Sequence, residues 1–169
     1  MSFHTVERFT KDIDVAVVVA SDTEAEALVF ELRDHGYAVA ELIEHETQSR
    51  LATARLIHPG PPQMRLDILF ASSGIEAEVV GIAEEGLLLG QLRGKVANVS
   101  SLLALKTLSA DWDRRPQDVL DLQHLIGVAS EKDLEEAHRL LDLVTQRGYD
   151  RKKNLAADLQ NYVNRFRDT

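Results

Sequence analysis

The spacing of apolar residues changes at Ser100, and no other feature of this 169-residue chain limits its fold as strongly. Before that point, apolar residues come in short β-branched runs or alternate with polar ones, the period of a strand. After it they return every three or four residues, the period of a helix. A strand-rich first part followed by a run of helices predicts an α+β protein, a mixed β-sheet flanked by helices with a helical C-terminal part. The expected division is a sheet core over 1–99 and helices over 100–169, packed as one compact unit.

Within the first part, "IDVAVVV" (13–19) predicts a strand buried along most of its length. "SDTE" follows as a capping box, with Ser21 as cap and Glu24 reaching back. The helix it opens carries Ala25, Leu28, Val29 and Leu32 on one face and stops at Gly36. Strands are expected over 37–43, 51–59, 64–70 and 95–99, with a turn at "PGPP" (59–62) and a short helix over 76–85. Past Ser100, one helix is marked by Leu102, Leu105 and Leu108. A second opens at Pro116 with Val119, Leu122 and Ile126 inward. Ser130 caps a third, striped by Leu134, Ala137, Leu141 and Val144, and the last carries Leu155, Leu159, Tyr162 and Phe166.

Two aspartates, Asp12 and Asp14, stand at the mouth of the first strand and share a face by period two. Asp67 sits inside the alternating strand "MRLDILF", on the face of Arg65 and Leu69. If the two strands are neighbours, three carboxylates converge. Unopposed, such a cluster repels itself; a pair of divalent cations relieves the repulsion and can clamp both oxygens of a phosphoryl transfer. Magnesium suits hard carboxylate oxygens and needs few of them. The plainer alternative is that strand-end aspartates cap loops.

The segments "TKDIDVAV", "RLDILFAS" and "VSSLLALKTLSADWDRRPQDVLDLQHLI", in that order, resemble the nucleotidyltransferase domain of the AbiEii/AbiGii-toxin-like group. That group lies within the DNA polymerase beta-type nucleotidyltransferase superfamily, and the resemblance covers residues 8–127. It implies transfer of a nucleoside monophosphate from a nucleoside triphosphate, with magnesium in a two-metal site. Asp12 and Asp14 would match the paired metal ligands, and Asp67 the third acid, which activates the acceptor hydroxyl. Lys106 would match a cation near the triphosphate; pairing with Asp118 or Asp121 across two helices is the structural alternative. Ser72, just after the third-acid strand, and Arg115, in "RRP", are further candidates for contact with the nucleotide. The partners implied are the triphosphate, an RNA, protein or small-molecule acceptor, and a cognate antitoxin.

The superfamily opens its site with a Gly-Gly or Gly-Ser turn upstream of the acids, whose backbone N–H groups hold phosphate. The first glycine here is Gly36, so either that segment precedes Met1 in a longer protein or the phosphate cradle is missing. The second case favours an alternative reading, a catalytically degenerate nucleotidyltransferase fold that binds a partner protein.

Other chemistries find little support. The chain has no Cys, and its six His show no zinc-type spacing. His124 reads as a packed helical residue. A net charge of −9 argues against broad, non-specific nucleic-acid binding. Trp112 and Tyr149 stand apart in the sequence, which predicts no base-stacking platform, and "RGYDRKKN" (147–154) reads as a solvated helix start. No apolar run is long enough to span a membrane, and "MSFHTVERFTKD" lacks the apolar centre of an export signal, so a cytoplasmic protein is expected.

Overall fold

Strand β1 (Asp12–Ala16) starts a four-stranded mixed sheet in a computed structural model that describes residues 12–45, 49–60, 63–88 and 92–167. Helix α1 (Asp22–Asp34) follows, then β2 (Ala38–Glu44), β3 (Leu51–His58) and β4 (Met64–Leu69). The strand order is β1-β4-β3-β2, with β1 parallel to β4 and the other two pairings antiparallel. Two compact units divide the chain at 71/72, so the boundary falls earlier than the change of period at Ser100. Residues 72–99 belong with the helices because Ile75 and Val79 are buried in the helical core.

One face of the sheet is apolar. Leu56 and Ala54 of β3 and Ile68 of β4 pack there with Ala25 and Val29 of α1, around Phe70. The alternation of β3 and β4 produces this face directly, since every second side chain of each strand reaches it. Helix α1 begins as expected at Ser21, whose hydroxyl accepts the Glu24 N–H. Glu24 reaches back one residue further than a capping box requires, to the Ala20 N–H at 2.7 Å. The helix ends at Gly36, whose φ of +91° is open to glycine and strained for most other residues.

β1 is shorter than expected and less buried. It is an edge strand paired with β4 alone among the described residues, and Val15 and Val18 are exposed. An edge position leaves half the strand's surroundings open, which hydropathy along one segment does not reveal. Pro61 and Pro62 of the expected turn, and His4, lie outside the described residues.

The second unit holds α2 (Glu76–Gly81), β5 (Glu84–Leu88), β6 (Leu92–Val96), α3 (Val99–Ser109), α4 (Pro116–Val128), α5 (Glu131–Gln146) and α6 (Leu155–Arg167). The helix expected over 76–85 ends at Gly81, and a β5–β6 hairpin replaces its tail. Gly86 faces Gly94 in that hairpin, and a Cβ at Gly86 would lie 2.7 Å from Cγ2 of Val96. A side chain at Gly86 would therefore have to displace the Val96 side chain.

Helix α3 is the centre of this unit. It packs against α4, α5 and α6, so Leu103, Ala104, Thr107 and Leu108 are all buried while Leu102 is only half-buried. The expected stripe of Leu102, Leu105 and Leu108 is therefore rotated by about one residue. The stripes of α4 and α5 lie where their spacing puts them: Val119, Leu122 and Ile126, then Leu134, Ala137, Leu141 and Val144. In α6, Leu155, Leu159 and Val163 are buried, and Tyr162 and Phe166 pack at the margin. His124 is exposed on α4, not packed as expected.

Candidate active site

The other face of the four-stranded sheet is charged from edge to edge. Asp14 lies directly opposite Asp67 in the parallel β1–β4 pairing, and Asp12 lies opposite Arg65. In the antiparallel pairings Asp67 lies opposite Arg55, and Arg55 opposite Glu41. The charges across the four strands thus run Asp12 and Asp14, Arg65 and Asp67, Arg55, Glu41. Period two on each strand, combined with this register, places all of them on one face.

Asp67 is the buried member, at 7% exposure. Arg55 grips it from β3: Nε donates to Oδ1 at 3.0 Å and Nη2 to Oδ2 at 3.0 Å, the two-pronged geometry that a guanidinium offers a carboxylate. The Nη1 of Arg55 donates to Glu41 at 2.6 Å. Arg65 joins the two edges of the cluster, donating from Nη2 to Asp12 Oδ2 at 2.5 Å while its Nε lies 3.6 Å from Asp67 Oδ1. The hydrogen bond to Asp67 holds the Arg55 pKa above its ordinary value, against the smaller opposing effect of burial.

The register makes β1 and β4 neighbours, with Asp12, Asp14 and Asp67 on the same face of the pair. What the sequence reading missed is that Arg55 and Arg65 stand among them. Both could have been found: "LATARLIH" carries one basic residue in an apolar strand, and Arg65 is two residues from Asp67.

A magnesium ion needs hard oxygen donors, and this donor set is chemically suited to it. Four carboxylates, Asp12, Asp14, Glu41 and Asp67, face two guanidinium groups, which leaves negative charge for a cation to offset. As the side chains stand, no three His, Cys, Asp or Glu among the described residues are grouped to hold an ion. The reason is local: arginine nitrogens take the oxygens of Asp67 and Oδ2 of Asp12.

The remaining candidates lie in the second unit. Lys106 of α3 donates to Asp118 at 2.7 Å and lies 2.8 Å from Asp121, both on α4. Burial works against its ammonium, but those two carboxylates outweigh it and raise the Lys106 pKa. The helix-to-helix pairing weighed as its structural alternative is therefore present. Arg115 Nε lies 2.8 Å from Asp118 Oδ2, and Asp118 is buried. The Ser72 hydroxyl donates to Glu76 at 3.1 Å, and the neighbouring Ser73 N–H and hydroxyl converge on the same Glu76 oxygen.

Trp112 is not isolated. Its ring lies 6.1 Å from Tyr162, and the Arg165 guanidinium sits 4.4 Å above it. Helix α6 supplies both partners from some 50 residues away, so local sequence carried no sign of them.

A family model described as "Nucleotidyl transferase AbiEii toxin, Type IV TA system" matches residues 1–167. The chain belongs to this family. The match covers nearly the whole chain, both the charged sheet face and the helical unit, and agrees with the resemblance read from the three motif segments. No curated protein matches the chain. The nucleotidyltransferase-like α+β architecture expected of the AbiEii family is the one observed. No helix among the described residues is long and apolar enough to cross a membrane.

Proposed function

We propose that this AbiEii family member transfers a nucleoside monophosphate from a nucleoside triphosphate to a hydroxyl of an RNA, protein or small-molecule acceptor. The observation that carries the reading is the register: Asp14 opposite Asp67, with Asp12 two residues earlier on the same face. Asp12, Asp14 and Asp67 would hold magnesium, which supplies charge neutralisation for the phosphates. Asp67 is oriented by Arg55 and accepts the proton of the acceptor hydroxyl. The acceptor oxygen then bonds to the α-phosphorus, and the bond from that phosphorus to the β-phosphate oxygen breaks, releasing pyrophosphate. Arg65 keeps Asp12 and Asp67 within reach of one another when no cation does so. Lys106, Ser72 and Arg115 are proposed contacts to the nucleotide. The cytoplasm supplies the triphosphate, and a cognate antitoxin, in keeping with the family's toxin–antitoxin description, would restrain the activity.

The same arginines support a second reading, because they satisfy Asp67 and Asp12 without a metal. A catalytically silent fold that binds a partner protein needs nothing more. Incubating the full chain with α-phosphate-labelled triphosphates, magnesium and total cell RNA and protein separates the two. Label transfer that requires magnesium and disappears in Asp67→Asn supports the enzyme; absence of transfer from all four nucleotides overturns it.

A further inference from the structure

The two arginines of the charged sheet face are held unequally. Arg55, on the inner strand β3, has every nitrogen engaged: Nε and Nη2 on Asp67, Nη1 on Glu41. Among the described residues Arg65 makes one hydrogen bond, from Nη2 to Asp12 Oδ2 at 2.5 Å. Its Nε is buried and has no hydrogen-bond partner, since Asp67 Oδ1 stands 3.6 Å away, beyond the reach of such a bond. A buried donor left unmade costs stability. Charge, not fit, therefore keeps Arg65 where it is.

The place it fills is the one a metal ion would need. Its guanidinium reaches Asp12 on β1 and Asp67 on β4, the carboxylates that the strand register brings to one face. Magnesium binds carboxylate oxygens at about 2.0–2.1 Å, closer than any guanidinium nitrogen stands, and repels a like charge beside it. The two cannot share Oδ2 of Asp12. A divalent ion brings twice the charge of the group it replaces, whereas a monovalent ion gains nothing by the exchange. The pair it must break is weak, because the Arg65 and Asp12 side chains are 42% and 45% exposed. Asp67 keeps its orientation meanwhile through Arg55.

We propose that Arg65 is the resident counter-ion of the acidic site, holding the position of a divalent cation between Asp12 and Asp67 until the metal displaces it, while Arg55 stays in place. This deepens the nucleotidyltransferase reading, on which the need for a metal rests. The two arginines then have different roles: Arg55 orients a carboxylate throughout, and Arg65 sets how readily a cation enters.

Magnesium alone, titrated calorimetrically into the full chain without nucleotide, tests the exchange. An exposed ion pair is worth up to about a factor of five in an equilibrium constant, so Arg65→Met should bind magnesium about threefold to fivefold more tightly than the native chain. Arg50→Met removes a cation that pairs with Asp22 instead, and should leave the affinity within about twofold. A second readout uses the native chain, by nuclear magnetic resonance of the arginine Nε–Hε groups. Saturating magnesium should shift the Arg65 signal, assigned by its loss in Arg65→Met, and speed its exchange with water, while the Arg55 signal stays. Equal or weaker magnesium binding in Arg65→Met, an equal gain in Arg50→Met, or an Arg65 signal that magnesium leaves unchanged overturns the proposal. Magnesium-dependent label transfer alongside any of these results overturns it alone; magnesium binding to none of the chains overturns the metal reading with it.

Discussion

Removing Arg55 would show what the charged face costs when it is left unbalanced. Asp67 is buried and takes three nitrogen-to-oxygen contacts of 3.0–3.2 Å from Arg55, while Arg65 stands back at 3.6 Å and Asp14 faces it with like charge. Breaking a fully buried pair from one side costs about 3–5 kcal/mol, because the other charge stays behind without a partner. The Arg55 side chain is 31% exposed, so water softens the loss, and about 2–3 kcal/mol is expected for Arg55→Met. Converting Asp67 to Asn in the same chain removes the stranded charge. The double variant should therefore be more stable than Arg55→Met alone, with a coupling energy of about 1–2 kcal/mol. Urea titration followed by far-ultraviolet circular dichroism gives the totals, and hydrogen exchange of the β3–β4 amides locates them. Additive effects, or an Arg55→Met chain as stable as the native one, would refute the claim that Arg55 is the counter-charge of Asp67.

Two smaller expectations concern the second unit. Ser130 accepts the Asp133 N–H and Asp133 accepts the Ser130 N–H in return, so Ser130→Ala should lower stability by about 1 kcal/mol in urea unfolding. Stability should also fall as pH drops through the acid range. Hydrogen bonds from Ser130 hold the Asp133 pKa below its ordinary value and that from Arg147 does the same for Glu78. A depressed carboxylate stabilises the fold above its unfolded pKa, near 4, and that stability is lost below it. Arg147→Met should flatten this loss, measured as the thermal midpoint between pH 6 and pH 3.

The helices were legible because each stripe is local: Leu134, Ala137, Leu141 and Val144 declare the buried face of α5 without help from elsewhere. The acids were legible for a similar reason, since Asp12 and Asp14 share a face by spacing and Asp67 interrupts an apolar strand. The hairpin was not. "EEGLLLGQLRGKV" has helix-forming Glu and Leu, and it pairs as a hairpin in which Gly86 lies opposite Gly94. Neither was the role of Arg55, which depends on the β3–β4 register, nor that of Trp112, whose partners come from α6. Pairing between elements, which the pattern along one segment does not carry, hid all three.

The most direct test is whether carboxylates from β1 and β4 act together on one cation. Magnesium titrated calorimetrically into the full chain, with a non-hydrolysable triphosphate present, should give saturable heat. That heat should vanish in the Asp12→Asn, Asp14→Asn chain while its thermal midpoint stays within a few degrees of the native value. Unchanged magnesium binding in that variant would contradict the account.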